Sequence, residues 1–366
     1  MYYVVIVFAL VIAAIIVAKK PQRPDSYIEA ICQYGIVTLA ASILLPRQRL
    51  FGVIDYLCQA LFFCGPILFT ILVYYARPHL KAFTAIFAAA VVTLLVVAID
   101  AFYIEPHWLA IRHETLPTSK IPPGSRFRVV VLTDIQTDEP GDYERRVFAE
   151  ANAQKPDLIL FPGDYIQAYH DKYPAKAKIL NKIISDANIA DAKLNPNFKG
   201  AYAVGGDVDE PEPTWPQAIF AGTPVKTMSS SQTIDLAKPD ITLTGLTLDD
   251  SRFRRYKIPK SDKFHIAFGH APDFSLEDPP ADLLIAGHTH GGQVQLPFFG
   301  PILTLSQVER MACGGCFVKN PTGKSDSTLL ISRGIGLERL DAPRLRFFCR
   351  PEMVVVDIVG ISLKTP

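Results

Sequence analysis

The first hundred residues differ from the rest of the chain in their pattern of apolar and polar positions. Apolar runs occupy residues 2–18, 31–46, 50–75 and 82–101, and charged residues stand only at or near the ends of these runs. A helix needs roughly 20 mostly apolar residues to cross a bilayer, and somewhat fewer when flanking side chains reach the headgroups. The pattern therefore predicts a transmembrane region over residues 1–104 with about four helices.

Two features bear on the orientation of this region. The first run could be a signal peptide, but no charged segment precedes it and no small-residue cleavage site is evident, which favours an uncleaved helix. An even number of spans puts the N-terminus and the following domain on the same side. Five basic residues flank the spans on the opposite side and four on the side of the domain, a slight lean toward a non-cytoplasmic domain.

The pattern changes after residue 104. Residues 105–125 contain several prolines and histidines and are predicted to form a linker. Short apolar runs typical of buried strands then alternate with amphipathic stretches typical of helices, the first of which covers residues 143–154. The strand-like runs are residues 128–133, 157–161, 201–204, 241–246, 264–268, 282–286, 328–331 and 353–359. Strands interleaved with helices predict a layered α/β domain over residues 126–366.

Composition supports this division into a membrane region and a domain. The chain is 49% hydrophobic and 20% charged, and only eleven of its 73 Lys, Arg, Asp and Glu residues lie within the first hundred positions. The rest of the chain is long enough for one large enzyme core, which excludes disordered, fibrous and disulfide-stapled classes. The net charge of +1 gives no reason to expect a nucleic acid partner.

Polar residues that can bind metals follow five of the strand-like runs. In chain order they are Asp134 and Gln136, Asp164, Asp207 and Asp209, His270, and His288 with His290. A carboxylate after a single strand is often only a turn former or a helix cap. Five such strand ends in one domain are hard to explain in that way, because α/β sheets place their sites at the carboxyl ends of strands.

The residue types indicate the chemistry. Mixed carboxylate and imidazole ligands suit Mn, Fe or Zn, whereas a structural zinc site normally recruits thiolates. Two divalent ions about 3.5 to 4 Å apart, bridged by a carboxylate and a hydroxide, hold both the attacking and the leaving oxygen of a phosphoryl displacement. The motifs therefore predict a site that cleaves phosphate esters.

The ordered motifs resemble those of the calcineurin-like metallophosphoesterases, whose pattern is D-x-H, G-D, G-N-H-D, H and G-H-x-H. The resemblance covers about residues 127–358, and segments 269–273, 287–293 and 332–336 resemble a membrane-associated bacterial branch. It implies a two-sheet sandwich flanked by helices. It also implies a lipid-linked pyrophosphate or phosphodiester, such as UDP-diacylglucosamine, as one substrate class.

The same resemblance implies two divalent metal ions, which could be Mn, Fe, Zn or Mg, and assigns residues to them. Asp134, Gln136 and His290 would hold the first ion, and Asp207, His270 and His288 would hold the second, with Asp164 as the bridge. Of these residues, Asp164, Asp207 and His288 are expected to be catalytic.

Two positions depart from the family pattern. Gln136 replaces a histidine, and its neutral amide oxygen should bind the first ion less tightly or favour Mn or Mg over Zn. Val208 replaces the histidine of the third motif, which in the family assists the transition state or protonates the leaving group, a role typically worth about 10² to 10⁴ in rate. Asp209 could take the ligand position of Asp207 if the motif is shifted by two residues.

The main hypothesis is a membrane-anchored, dinuclear metal-dependent phosphoesterase in which a bridging hydroxide attacks phosphorus in line. An amphiphilic phosphate, such as a phospholipid or lipid-linked nucleotide, suits a site held near a bilayer. The alternative is a catalytically attenuated metal- or ligand-binding module, motivated by Gln136 and Val208. A transporter is least favoured, because no charge lies mid-span. The basic run 252–257 either recognises an anionic headgroup or forms a solvated strand end.

Overall fold

The computed structural model describes residues 23–44, 50–78, 80–189, 196–209, 217–236, 241–319, 322–324 and 326–362. The chain divides into two compact units. The first comprises Met1–Ile104 with Asp341–Arg344, and the second comprises Glu105–Leu340 with Leu345–Pro366.

The described part of the first unit is mainly helical. They are α1 (Pro24–Leu44), α2 (Leu50–Gln59), α3 (Gly65–Ala76) and α4 (Lys81–Ile99), with π-helical turns at Ala60–Cys64 and Asp100–Ile104. Among the described residues, two continuous helices are long and apolar enough to cross a membrane, Leu50–Ala76 and Lys81–His107. This criterion concerns length and composition alone.

The other two predicted spans are less well covered. Residues 2–18 lie outside the described residues, and residues 31–46 fall on α1 as far as Leu44 and then leave the described part of the chain. The number of four spans therefore stays a prediction.

The second unit contains two six-stranded sheets of mixed direction. The first has the order β1 (Ala110–Thr118), β14 (Glu352–Gly360), β2 (Arg126–Val131), β3 (Leu158–Phe161), β4 (Gly200–Ala203), β5 (Val225–Thr227). The second has the order β12 (Cys316–Lys319), β13 (Thr328–Ile331), β9 (Leu283–Ala286), β8 (Phe264–Phe268), β7 (Ile241–Gly245), β6 (Gln232–Leu236). A small ladder joins β10 (Gln295–Leu296) to β11 (Gly300–Pro301).

The two sheets pack face to face. Val131 and Leu160 of the first sheet share one buried apolar cluster with Ile266 and Ile285 of the second. The outer face of the first sheet is covered by α5 (Asp142–Ala153) and α6 (Tyr173–Asp186), and two short helices follow, α7 (Gln217–Phe220) and α8 (Leu248–Phe253). The predicted α/β architecture is confirmed, and its sheets and helices are those expected of a metallophosphoesterase.

The interpretation of residues 105–125 as a linker needs correction. Ala110–Thr118 forms β1, which pairs in parallel with β14 over nine residues. The strand is only half buried, in an alternating pattern, and its partner comes from the far end of the chain. Neither the local apolar content nor any neighbouring segment therefore signalled a strand.

The topology determines where the site lies. Strands β2, β3 and β4 run parallel to one another, as do β7, β8 and β9. The carboxyl ends of parallel neighbours meet at one edge of a sheet. The loops that carry the predicted ligands are thereby collected at one place.

Candidate metal centre

Two groups of potential ligands meet at these strand ends. Asp207, His270 and His288 form one group, and Asp134, Asp164 and His270 form the other, with ligand atoms within 4.8 Å of one another in each group. His270 belongs to both groups. The structure therefore brings five of the seven predicted ligands together without further rearrangement.

The backbone is held in an unusual conformation at most of these residues. Five of the predicted ligands have positive φ angles, a region that side chains larger than glycine rarely adopt. They are Asp134 (49°), Gln136 (30°), Asp164 (58°), His288 (69°) and His290 (47°). Such conformations cost about 1–3 kcal/mol each and cluster at functional sites. The fold thus accepts local strain to aim these side chains inward.

Close backbone approach makes these turns possible. Gly287 precedes His288 and lies so near the first sheet that a Cβ there would collide with the side chains of Thr133 and Asp134. The same proximity lets the backbone N–H of His288 donate to Asp134 Oδ1 at 2.9 Å. The second sheet is thus joined directly to the first at the site.

Hydrogen bonds orient the two imidazoles of the first group. His270 Nδ1 lies 2.9 Å from the carbonyl oxygen of Pro162, which can only accept, so this nitrogen carries the proton. His270 Nε2 then faces Asp207 Oδ1 at 3.2 Å and Asp164 Oδ2 at 3.3 Å. His288 Nε2 lies 3.2 Å from the carbonyl oxygen of Leu305, while its Nδ1 lies 3.1 Å from His270 Nε2. Metal-binding histidines are typically fixed in this manner.

Gln136 and His290 lie beside the second group. The Gln136 side-chain Nε2 donates to Gln167 Oε1 at 3.0 Å and to Glu338 Oε2 at 2.9 Å. His290 Nε2 lies 3.9 Å from Asp134 Oδ1. Both side chains are buried, and the orientation of the Gln136 amide is fixed by its two acceptors.

The residues of the site fit divalent ions. Among the described residues, Gln136 Oε1 and both ring nitrogens of His290 are buried without a hydrogen-bond partner. A buried polar atom nearly always has a partner, and leaving one unpaired costs about 1–3 kcal/mol. Atoms of this kind next to buried carboxylates are what a cation site requires, because the ion supplies the missing partner.

The electrostatics of the cluster agree with this interpretation. Burial raises the pKa of Asp164 well above its ordinary value, and the neighbouring carboxylates of Asp207 and Asp134 raise it further. Burial alone would lower the pKa of His270, but the Asp164 and Asp207 carboxylates outweigh it and raise that pKa to about 10. Burial lowers the pKa of His290 to about 4, which keeps the ring neutral. Protons bound to side chains of the cluster therefore balance the negative charge of its carboxylates. Binding of divalent ions would release these protons.

Asp209 has a different position from Asp207. Its Oδ2 accepts hydrogen bonds from the backbone N–H groups of Asp164 at 2.7 Å and Gly206 at 3.0 Å, and its Oδ1 accepts from that of Tyr165 at 2.9 Å. Burial raises the pKa of Asp209 to about 7. The structure thus places Asp207 among the potential ligands, while Asp209 holds the loop that carries Asp164.

The position of Arg252 beside the potential ligands was not predicted from the sequence. Its Nη2 lies 2.8 Å from Asp207 Oδ2 and 3.2 Å from His288 Nε2. The basic run was identified, but it was interpreted as a headgroup contact or a solvated strand end. It instead closes α8, a helix whose N-terminus is capped by Thr247, so the strand interpretation was wrong. Gln167 and Glu338 were missed as well, because no local signal marks residues that act on Gln136 from distant segments.

Comparisons with known proteins agree with this geometry. The family model for calcineurin-like phosphoesterases matches residues 127–292, a range that contains all seven predicted ligands. The uncharacterized metallophosphoesterase YkuE of Bacillus subtilis is 31% identical over 271 residues, which are 70% of this chain and 88% of that protein. The phosphodiesterase YaeI of Escherichia coli is 26% identical over 268 residues, which are 70% of this chain and 91% of that protein.

Replacement of Asp207 and replacement of Asp209 should have different effects on stability and metal binding. We expect Asp209→Ala to lower the thermal unfolding midpoint of the full-length protein in detergent with chelator present, because three buried N–H groups lose their acceptor at about 1–3 kcal/mol each. Asp207→Ala should leave that midpoint nearly unchanged and weaken Mn²⁺ binding in calorimetric titration. A weakened affinity in Asp209→Ala with an unchanged midpoint would instead favour the shifted motif.

Proposed function

Because this chain belongs to the calcineurin-like phosphoesterase family, we propose that it hydrolyses a phosphodiester or pyrophosphate bond in an amphiphilic substrate at a dinuclear metal centre. Its family and its relatives support the coarser statement that it is a metal-dependent phosphoester hydrolase. The observation that carries the proposal is the cluster of carboxylates and imidazoles at the strand ends, with the unpartnered His290 Nε2 3.9 Å from Asp134 Oδ1 and a buried, unpartnered Gln136 Oε1.

The predicted ligands divide into two sets around Asp164. Asp134, Gln136 and His290 would hold one ion, and Asp207, His270 and His288 the other, with Asp164 between them. Bound divalent ions supply Lewis acidity and lower the pKa of water toward neutrality, which provides a nucleophile for attack on phosphorus. The amide of Gln136 is a hard, neutral oxygen ligand and favours Mn or Mg at the first position.

Arg252 supplies a positive charge next to this centre. Its guanidinium is two-thirds buried, donates to Asp207 Oδ2 at 2.8 Å and lies 3.2 Å from the ring of His288. A guanidinium is matched to phosphate in charge and geometry. We therefore assign Arg252 to binding of the substrate phosphate.

Val208 constrains the leaving group. Its backbone N–H donates to Asp164 Oδ1 at 3.1 Å, but its side chain has no proton to give. A leaving group that departs as a phosphate or nucleotide needs no proton donor, whereas an alkoxide does. This favours pyrophosphate or nucleotidyl substrates. The same residue supports the second candidate, an attenuated module that binds metal and ligand without turnover.

Exposed apolar side chains support membrane attachment. On α4, Ile86, Val92, Val96 and Ile99 are each at least half exposed. A helix with apolar residues on all sides is unfavourable in water and is typical of a membrane span. Attachment by several spans would hold the centre near a lipid surface, where amphiphilic phosphates are concentrated.

Removal of a bridging or second-ion ligand should abolish turnover. We expect Asp164→Ala and His288→Ala to reduce Mn-dependent hydrolysis of an aryl phosphodiester by the full-length protein to background. Asp171→Ala and His170→Ala are matched controls, because both residues are exposed, and they should keep wild-type rates. Activity retained in both site variants contradicts the proposal, and bound metal without any wild-type turnover supports the binding module.

Loss of the Arg252 charge should weaken substrate binding. A hydrogen bond to a charged group contributes about 1.5–3 kcal/mol, so Arg252→Gln should raise KM by roughly 10- to 100-fold. Arg255→Gln is the matched control, since Arg255 lies two-thirds exposed beside Asp249, and its KM should not change. Equal KM values in both variants contradict the assignment of Arg252.

A further inference from the structure

A hairpin next to the metal centre exposes a group of large apolar side chains. We define the apolar hairpin as residues 294–305, a segment without a charged residue that contains β10 and β11. Phe298 at its tip is fully exposed, and Leu296, Phe299, Ile302 and Leu305 are 41–54% exposed. Single exposed apolar residues are ordinary, but a contiguous group marks an interaction surface.

The tip is a turn closed by a hydrogen bond from Phe299 N–H to Leu296 O, and Phe298 occupies a central position of that turn where Gly or Asn is usual. Phe298 has a φ of 65°, a region that a bulky side chain enters only at a cost. Its ring gains no burial in return, because it is fully exposed. A bulky aromatic side chain therefore occupies a turn position that favours a small residue, and its whole surface is available for a contact outside the chain.

Several backbone groups of the hairpin are already paired. Phe299 N–H donates to Leu296 O at 3.1 Å, and Ile302 N–H donates to Val294 O at 3.2 Å. Pro297 and Pro301 have no N–H to satisfy. Internal pairing of this kind is what a segment needs in order to enter an apolar environment, where an unpaired amide costs several kcal/mol.

Arg310 adds a cation at the same place. Its Nη1 donates to the carbonyl oxygens of Phe299 at 2.7 Å and Pro301 at 2.6 Å, and its guanidinium carbon lies 4.0 Å from the centre of the Phe299 ring. The arginine both braces the hairpin and places positive charge beside its apolar tip. Aromatic residues flanked by a cation are complementary to the interface of an anionic bilayer.

The base of the hairpin lies next to the residue at which the chain enters the second unit. Glu105 opens this unit, and its carboxylate accepts hydrogen bonds from the N–H groups of Phe348 and Cys349. Phe347 in turn exchanges backbone hydrogen bonds with Gln293 and Gln295 at 2.9 Å.

The other end of the hairpin reaches the metal centre. The carbonyl oxygen of Leu305 contacts His288 Nε2 at 3.2 Å. Gly292, just before the hairpin, packs so tightly that a Cβ there would clash with Pro301 and with the carbonyl oxygen of Leu303. The apolar hairpin therefore lies between Glu105, the first residue of the second unit, and His288, a predicted ligand.

We propose that the apolar hairpin docks on the lipid bilayer, with the rings of Phe298 and Phe299 below the headgroups and Arg310 at the level of anionic lipid phosphates. The metal centre is then held over the headgroup region, where an amphiphilic phosphate presents its scissile bond. This inference rests on the membrane attachment in the proposed function and extends it from the helices to the catalytic domain.

The test uses the full-length protein in vesicles of phosphatidylcholine and phosphatidylglycerol, with or without bromine on the acyl chains. Phe298→Trp should show additional tryptophan emission over wild type that is lost to brominated lipid and shifted to the blue. Ile179→Trp is the matched control, because Ile179 is 42% exposed on α6, and its added emission should not be quenched. Emission from Phe298→Trp that brominated lipid leaves unchanged, or equal quenching of both variants, overturns the proposal.

A second measurement separates this inference from the proposed function. Phe298→Asp should keep wild-type hydrolysis of a soluble aryl phosphodiester in detergent and should lose the quenching when combined with Phe299→Trp. Loss of soluble turnover would show that the hairpin acts in the site and not on the membrane. Because quenching needs no turnover, quenching without hydrolysis refutes only the proposed function, and hydrolysis without quenching refutes only the docking.

Discussion

The burial of like charges at the strand ends is the constraint on which the rest of the domain depends. The carboxylates of Asp134 and Asp164 are almost completely buried and share His270 as a neighbour, and Asp207 approaches the same Nε2 of that ring as Asp164 does. Carboxylates this close together repel one another and lose their hydration, so the arrangement is costly unless cations or protons balance it. The positive φ angles, the close approach at Gly287 and the unpartnered atoms of Gln136 and His290 all serve one purpose, which is to aim donors at cations.

Neighbouring residues hold this cluster and adjust its chemistry. Asp209 ties down the loop of Asp164 through three backbone amides, and Gln167 with Glu338 fixes the amide of Gln136. In the proposed metal centre, these contacts would hold Gln136 in place where the family has a histidine. Under the proposed function, Val208 in place of the other histidine favours a substrate whose leaving group departs without a proton. A positively charged Arg252 at the same edge fits a substrate that is rich in phosphate.

The sequence predicted those parts of the fold that are fully buried, and it pointed to the potential ligands that the structure brings together after buried strands. Strands β8 and β13 have the predicted bounds because every residue in them is buried, which produces an unbroken apolar run. The half-exposed edge strands β1 and β6 and the short β12 lack this signal, and β1 pairs with a strand more than 200 residues away. Arg252, Gln167 and Glu338 were missed for the same reason, since their roles come from contacts between distant segments. The apolar composition of the hairpin can be read from the sequence, but the exposure of its side chains cannot.

The central proposal is that two ions bind at these strand ends and share Asp164. Anomalous scattering from crystals of the full-length protein grown with Mn²⁺ tests it most directly. We predict two manganese peaks per chain, one beside Asp134, Gln136 and His290, the other beside Asp207, His270 and His288, with the Asp164 carboxylate between them. A single peak, or no peak among these residues at saturating Mn²⁺, would contradict the account.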